Sequence, residues 1–261
     1  MLGQPQGKSN RVEWPRQRGY PYNMALDVQA LERFYDSRIG QVTRRLIFRR
    51  IRSAWTSVAG QRVLGLGYAC PYLRPFVGEA DRTIAAIPEG FGAEPWGSSG
   101  LCSTSIVDEL ALPFPDAFFD AALVVHGLET AEAQRPFLRE LWRVLTPAGR
   151  LLIVAPNRAS LWAQLETSPF GTGQPYSRGQ LERLLNQALF HPERWDAALF
   201  MPPWGRNRSF RASRAWETVG YTAWPRLAGV HVVDATKSMY VPGLVAKKRR
   251  AVLRPAMVYG K

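Results

Sequence analysis

The segment from Phe118 to Asn157 constrains the fold most: two short apolar runs, FFDAALVVHGL (118–128) and RLLIVAPN (150–157), enclose AEAQRPFLRELWRVLTPAG (131–149). In that middle stretch Phe137, Leu138, Leu141 and Leu145 recur at three- and four-residue steps, so they share one face of a helix that Pro147 and Gly149 bring to an end. Continuous apolar runs of that length are strands covered on both sides, and strand–helix–strand order makes them parallel neighbours.

The same alternation extends in both directions. Upstream, RVLGLG (62–67), RTIAAIP (82–88) and TSIVDE (104–109) read as three further strands. Before them, Val28, Leu31, Tyr35, Ile39, Val42 and Leu46 lie on one stripe, which predicts a single long helix from Asp27 packed on the main domain. Downstream, Ser177 and Gln180 form a capping box that opens a helix in RGQLERLLNQALF. ERWDAALFMPP then reads as a sixth strand, SRAWETVGYTAWPRL as a helix and GVHVVDATKSMYV as a last strand. The expected fold is α/β: a Rossmann-like, seven-stranded, mostly parallel sheet with helices on both faces and an antiparallel closing strand.

The stretches LALPFPDAFFDAALVVHGLE (110–129) and LRELWRVLTPAGRLLIVAPN (138–157) resemble the second half of the class I S-adenosylmethionine-dependent methyltransferases, especially the ubiquinone-biosynthesis-like group. The resemblance covers about residues 60 to 157. It implies S-adenosylmethionine as cofactor, with Gly65, Gly67, Tyr68, Ala69, Asp108, Glu109 and His126 as candidate donor-binding residues. Asp108 falls where the family often places a carboxylate near the adenine amino group. His126 and Glu129 fall where family members line the donor pocket and approach the acceptor, and Tyr35 is placed to reach over the donor or to pack in the core. No metal site and no obligatory catalytic base is implied.

RVLGLGYACPYL (62–73) departs from the family at the donor turn. The acid that ends the family's first strand is Gly65 here, and Ala69, Cys70 and Pro71 follow the one kept glycine, Gly67. Pro71 supplies no N–H, and an alanine forced to positive φ costs roughly 1–2 kcal/mol, so a different loop path is expected; Pro75 fits the first helical turn if the helix begins at Tyr72. The ribose-binding acid at the end of the second strand is also missing, its place falling near Ile87. Loss of one charged hydrogen-bond partner costs on the order of 1.5–3 kcal/mol, so donor affinity about 10- to 150-fold below the family's is expected.

Two readings stand at this level: a methyltransferase with an unidentified small-molecule or macromolecular acceptor, and a methyltransferase-fold scaffold that binds a partner protein or RNA. A dinucleotide site fits less well, because Cys70 stands where the third glycine of GxGxxG belongs. No GxSxG, GxxxxGK or HExxH pattern occurs.

Composition sets the remaining bounds. The apolar fraction is 46%, and no apolar run approaches the roughly 20 residues of a membrane helix, which places the chain in the cytoplasm. Cys70 and Cys102 make no metal or disulfide framework and read as small buried hydrophobes. The net charge of +13 is carried mainly by arginine, concentrated on a helix face (Arg38, Arg45, Arg49, Arg52) and in KKRR (247–250); nucleic acid is not the favoured partner. Three parts are expected: residues 1–23 as a disordered extension or an untranslated stretch before Met24, 24–245 as the methyltransferase-like domain, and 246–261 as a basic tail. Acceptor choice is expected from the N-terminal helix and from the loops SPFGTGQPYS and MPPWGRNRSF, with Trp204, Arg206, Arg208, Phe210 and Arg211 in the latter.

Overall fold

The computed structural model describes residues 28–92, 102–165, 168–203 and 210–238, with the side chains of 102, 103 and 210–212 excepted. The N-terminal extension, the KKRR segment, Trp204, Arg206, Arg208 and the side chains of Cys102, Phe210 and Arg211 lie outside that description.

Seven strands form one sheet: β1 (Arg62–Gly67), β2 (Arg82–Pro88), β3 (Cys102–Val107), β4 (Phe119–Val125), β5 (Leu145–Pro156), β6 (Phe190–Ala198) and β7 (Val230–Lys237). Their order is β3-β2-β1-β4-β5-β7-β6. The first five are parallel, and β7 runs antiparallel to both β5 and β6. The sequence expectation of a doubly covered, mostly parallel sheet holds. Along β4 the two-residue period sends Ala121, Leu123 and Val125 into one core and Ala122 and Val124 into the other.

On one face lie α1 (Val28–Asp36), α2 (Arg38–Ala54) and the short α3 (Cys70–Leu73); on the other lie α4 (Gln134–Val144) and α5 (Arg178–Gln187). A sixth helix, α6 (Phe210–Ala223), joins β6 to β7. The single long helix expected from Asp27 is two helices. Ser37 interrupts it as the N-cap of α2, its hydroxyl accepting from Gly40 N, and a Cβ on Gly40 would collide with Phe34 O. The apolar stripe crosses this break unchanged because α1 and α2 pack on the same core, so periodicity alone could not reveal it.

Other boundaries move by a few residues. The helix expected up to Gly149 ends at Val144, and β5 begins at Leu145. The sixth strand starts at Phe190, earlier than its apolar run suggests, with a register shift between Pro192 and Arg194. The helix after β1 begins at Cys70 rather than Tyr72.

The two family-like stretches are clamped together by one arginine. Arg143 on α4 binds Glu140 and Asp116 and donates to the carbonyls of Leu112 and Phe114, while Glu140 accepts from Leu112 N. The LPFPD loop is thereby fixed to the end of α4, which sets where β4 enters the sheet. On α2, Arg38, Arg45 and Arg49 are exposed, and Arg52 donates to Glu79 at 2.8 Å.

His231 on β7 carries a pH dependence. Its Nε2–H donates to Tyr176 O at 3.2 Å, and burial, reinforced by the charge of Arg178, lowers its pKa to about 4. The unfolded chain takes up this proton near pH 6.5, so the stability held by neutral His231 is complete above that value and is lost as pH falls towards 4. The loss amounts to roughly 3 kcal/mol. Urea midpoints measured at pH 7 and pH 4.5 should therefore differ more for the wild type than for His231→Gln; equal differences would assign the acid sensitivity elsewhere.

Candidate functional site

The ends of β1 and β4 lie side by side, with Gly67 paired to Val125. Gly67 has φ +83°, and a Cβ there would collide with Val125 O and stand 2.9 Å from Gly127, so this close approach requires glycine. Tyr68 N then donates to Val125 O at 2.8 Å, and Tyr68 and Ala69 turn inward, both almost fully buried. Ala69 caps α3 at φ −87°, in the right-handed region. The expected cost of positive φ at this alanine does not arise, because Gly67 takes that conformation instead. Pro71 sits in the first turn of α3, where its missing N–H has no intrahelical partner to lose.

His126 follows β4 directly and is held at φ +52°, which is sparsely populated for a side chain of this kind. Four side chains join through it. Tyr72 donates to the Tyr35 hydroxyl at 3.0 Å, Tyr35 lies 2.8 Å from His126 Nε2, and His126 Nδ1 lies 3.1 Å from Glu129 Oε1. One proton arrangement satisfies the whole chain: Tyr72 donates to Tyr35, Tyr35 donates to Nε2, and Nδ1–H donates to the carboxylate. Burial, foremost, raises the pKa of both tyrosines, so both phenols keep their protons.

The surroundings are aromatic. Tyr68 stacks on Tyr35 with centroids 5.6 Å apart, and Phe170 lies 4.8 Å from the His126 ring. The loop that carries Phe170 is fastened to the same place, since Gln174 N donates to Glu129 O and the Tyr176 hydroxyl donates to Leu128 O. Glu129 Oε2 is buried with no hydrogen-bond partner. A buried carboxylate oxygen with free acceptor capacity among ring faces suits a cationic group, whether ammonium or sulfonium. An imidazole held by a phenol at Nε2 and a carboxylate at Nδ1 is fixed in orientation, with Nε2 directed at a hydroxyl.

The two missing acids have physical replacements. A Cβ on Gly65 would collide with Leu73 Cδ1 and stand 2.9 Å from Ala69 Cβ, so apolar packing fills the volume that an acid would need. Ile87 is fully buried in the same core, and Glu89 beyond it is exposed. At the end of β3, Asp108 is exposed and accepts from Leu110 N, while Glu109 accepts from Glu132 N, with its pKa raised chiefly by partial burial. Of the residues expected from sequence, Gly67, Tyr68, Ala69 and His126 come together. Asp108 and Glu109 stand at the same sheet edge, two strand spacings or roughly 10 Å from β1. Gly65 serves packing.

Tyr35 takes the core-packing role expected of it, and in addition its hydroxyl joins the hydrogen-bonded chain through His126. Tyr72 and Phe170 were not anticipated. In sequence each reads as an ordinary buried aromatic, and only the tertiary fold brings them to His126.

A sequence profile described as "Methyltransferase domain" matches residues 97–153. The chain is 47% identical over 47 residues to a demethylmenaquinone methyltransferase of Deinococcus radiodurans, which covers 18% of this chain and 20% of that protein. It is 38% identical over 106 residues to a ubiquinone/menaquinone biosynthesis C-methyltransferase of Yersinia pestis, covering 36% and 42%. The chain thus spans well under two thirds of the length of either relative. Among solved structures, a methyltransferase described as putative, in complex with the Trm112 activator of Haloferax volcanii, aligns with TM-score 0.59 and 15% identity over 80% of this chain and 98% of that one. A Burkholderia thailandensis 1,6-didemethyltoxoflavin N1-methyltransferase with bound S-adenosylhomocysteine aligns with TM-score 0.52 and 15% identity, over 80% and 83%. At these identities the structural likeness concerns the fold.

Proposed function

We propose that the chain is a class I S-adenosylmethionine-dependent methyltransferase, a cytoplasmic enzyme that moves the methyl group of S-adenosylmethionine to a hydroxylated aromatic acceptor. The observation that carries this reading is the Glu129–His126–Tyr35 chain at the paired ends of β1 and β4. The names of the curated relatives point the same way, towards a quinone precursor methylated on carbon.

The residues present fit the donor at its charged end. Glu129 Oε2 offers the free buried acceptor for an ammonium, and Tyr35, Tyr68 and Phe170 offer ring faces for a positive sulfur. Gly67 and Ala69 would bring backbone to the donor, and Asp108 and Glu109, just after β3, would meet its adenine. The bound donor supplies an activated methyl group, so the protein aligns the partners and excludes water. His126 Nε2 already accepts a hydrogen bond from a phenol, that of Tyr35. A phenolic acceptor that took the place of the Tyr35 hydroxyl would give its proton to Nε2 while Nδ1 stayed on Glu129. Bond formation from the ring carbon to the methyl group would break the methyl–sulfur bond and release S-adenosylhomocysteine, and loss of the proton from the methylated ring carbon would restore the aromatic ring.

The test is titration of S-adenosylmethionine and S-adenosylhomocysteine into the full chain. At about 100 times Kd a ligand adds about 2.7 kcal/mol of stability, which should raise Tm by roughly 5–10 °C, with a micromolar isotherm by calorimetry. No heat and an unchanged melt at millimolar ligand would overturn the enzyme reading and leave a scaffold.

A further inference from the structure

Helix α2 carries a surface that methyl transfer does not use. RIGQVTRRLIFRRIRSA (38–54) holds six arginines and no acid, so nothing on the helix itself offsets their charge. At about 100° per residue, Arg38, Arg45, Arg49 and Arg52 fall within about 60° of arc and extend over about 21 Å of axis. The break at Ser37 leaves all four on α2. On the opposite side Thr43, Ile47 and Ile51 are fully buried, which fixes the arginine face outward, and Arg38, Arg45 and Arg49 stand exposed along it.

The acids that meet this helix do so at its last turns. Glu79 takes Arg52 at 2.8 Å, and Asp196 lies 3.5 Å from Arg50, whose guanidinium also covers the Tyr221 ring on the flank. From β6, Arg194 brings another cation to the same end: it donates to Ser53 O at 2.6 Å and to Ser53 Oγ at 2.8 Å, with Asp196 3.6 Å away. Before Arg38, the exposed Asp36 belongs to α1.

The arginine face is polar throughout. Phe48 leans inward on Phe76 with ring centroids 5.8 Å apart, and Ile39 packs against the core. Among the described residues, the large apolar side chains that stand well exposed all lie on other elements. A lipid layer is therefore offered charge but nothing to insert. Arginines at fixed points on a rigid axis suit a regular row of phosphates, since each guanidinium fork can take two phosphate oxygens.

We infer that this face of α2 binds the phosphate backbone of double-stranded DNA. Its length exceeds the roughly 12 Å width of the major groove, so arginines towards its two ends reach phosphates on both sides. The inner half of the helix is held in the core and cannot enter the groove. Contacts therefore stop at the backbone and carry no sequence preference. The net charge of +13 draws the chain to the same partner from a distance.

Fluorescence anisotropy of the full chain with a labelled DNA duplex of about 20 base pairs tests the assignment. Three phosphate contacts, each adding about 0.9 to the log–log salt slope, should weaken binding about 40-fold between 50 and 200 mM salt. Arg38→Gln, Arg45→Gln and Arg49→Gln together should lower that slope by about 3 and weaken binding at least about tenfold at 50 mM salt. Tm should stay within a few degrees, because the three side chains are exposed, and a duplex of different sequence should bind within about threefold. Three results overturn the assignment: no binding at 50 mM salt with about 100 µM chain; affinity and slope that the triple variant leaves unchanged, which would place the contact on KKRR or another basic segment; or displacement by polyglutamate as readily as by unlabelled duplex at equal charge, which would mark an acidic protein as the partner. The outcome is independent of donor binding.

Discussion

Replacing Gly65 with aspartate, which restores the acid that the family places at the end of β1, should lower Tm by roughly 10–15 °C and should not tighten donor binding. The position is closed: Leu73 Cδ1 and Ala69 Cβ fill the volume a side chain would take. A carboxylate there is buried among apolar atoms without a partner, at a cost of about 3–5 kcal/mol, and each kcal/mol moves the melt of a domain this size by about 2–4 °C. Gly65→Ala separates the contributions. Its single methyl meets the movable end of Leu73 and should cost about 1–3 kcal/mol. Thermal melts of the two variants, with S-adenosylhomocysteine calorimetry on whichever folds, check this. A stable aspartate variant with improved affinity would show that α3 moves aside and that the family's contact can be rebuilt.

The second large effect falls on turnover. His126→Asn should reduce methyl transfer about 10²–10⁴-fold, the usual contribution of a positioned general base, while leaving donor Kd within about threefold. Glu129→Gln should do both: slow turnover by mis-setting the imidazole, and weaken donor binding about 10- to 150-fold through loss of a charged acceptor. Transfer of labelled methyl from S-adenosylmethionine to a panel of hydroquinones and naphthoquinols supplies the rates, and calorimetry supplies Kd. Equal, small effects of both substitutions would mean that the chain from Tyr72 to Glu129 serves stability alone.

The sheet was legible because burial on both faces leaves a plain trace: β4 and β5 are apolar runs, with a helix between them whose apolar face repeats every three or four residues. The break at Ser37 was hidden because both helices pack on one core, so the stripe continues through the joint. Gly67 could be read because a glycine at that turn has a backbone reason. The emptiness at Gly65 could be read as a missing acid, but not as a place already filled, since Leu73 reaches it only through the fold of α3. The site was half legible for a similar reason. His126 and Glu129 lie at a strand end and announce themselves as polar residues in an apolar run, whereas Tyr35, Tyr72 and Phe170 are aromatics among many and become site residues only by tertiary placement.

The position of β7 has a consequence for how the chain is made. Among the described residues β6 pairs with no strand except β7, and β5 takes β7 as its second neighbour, so the wedge between them arrives after both. At about 5–20 residues per second, roughly 4–16 s separate synthesis of the end of β5 from that of β7. Throughout that interval the Leu151–Val154 edge has its partner β4 on one side and open hydrogen-bonding groups on the other. An apolar open edge is a template for pairing with other chains. A nascent or truncated chain that stops before Val230 therefore exposes an aggregation-prone edge, and soluble yield should depend on how quickly the ribosome, or a chaperone holding the half-built sheet, brings the last strand into place.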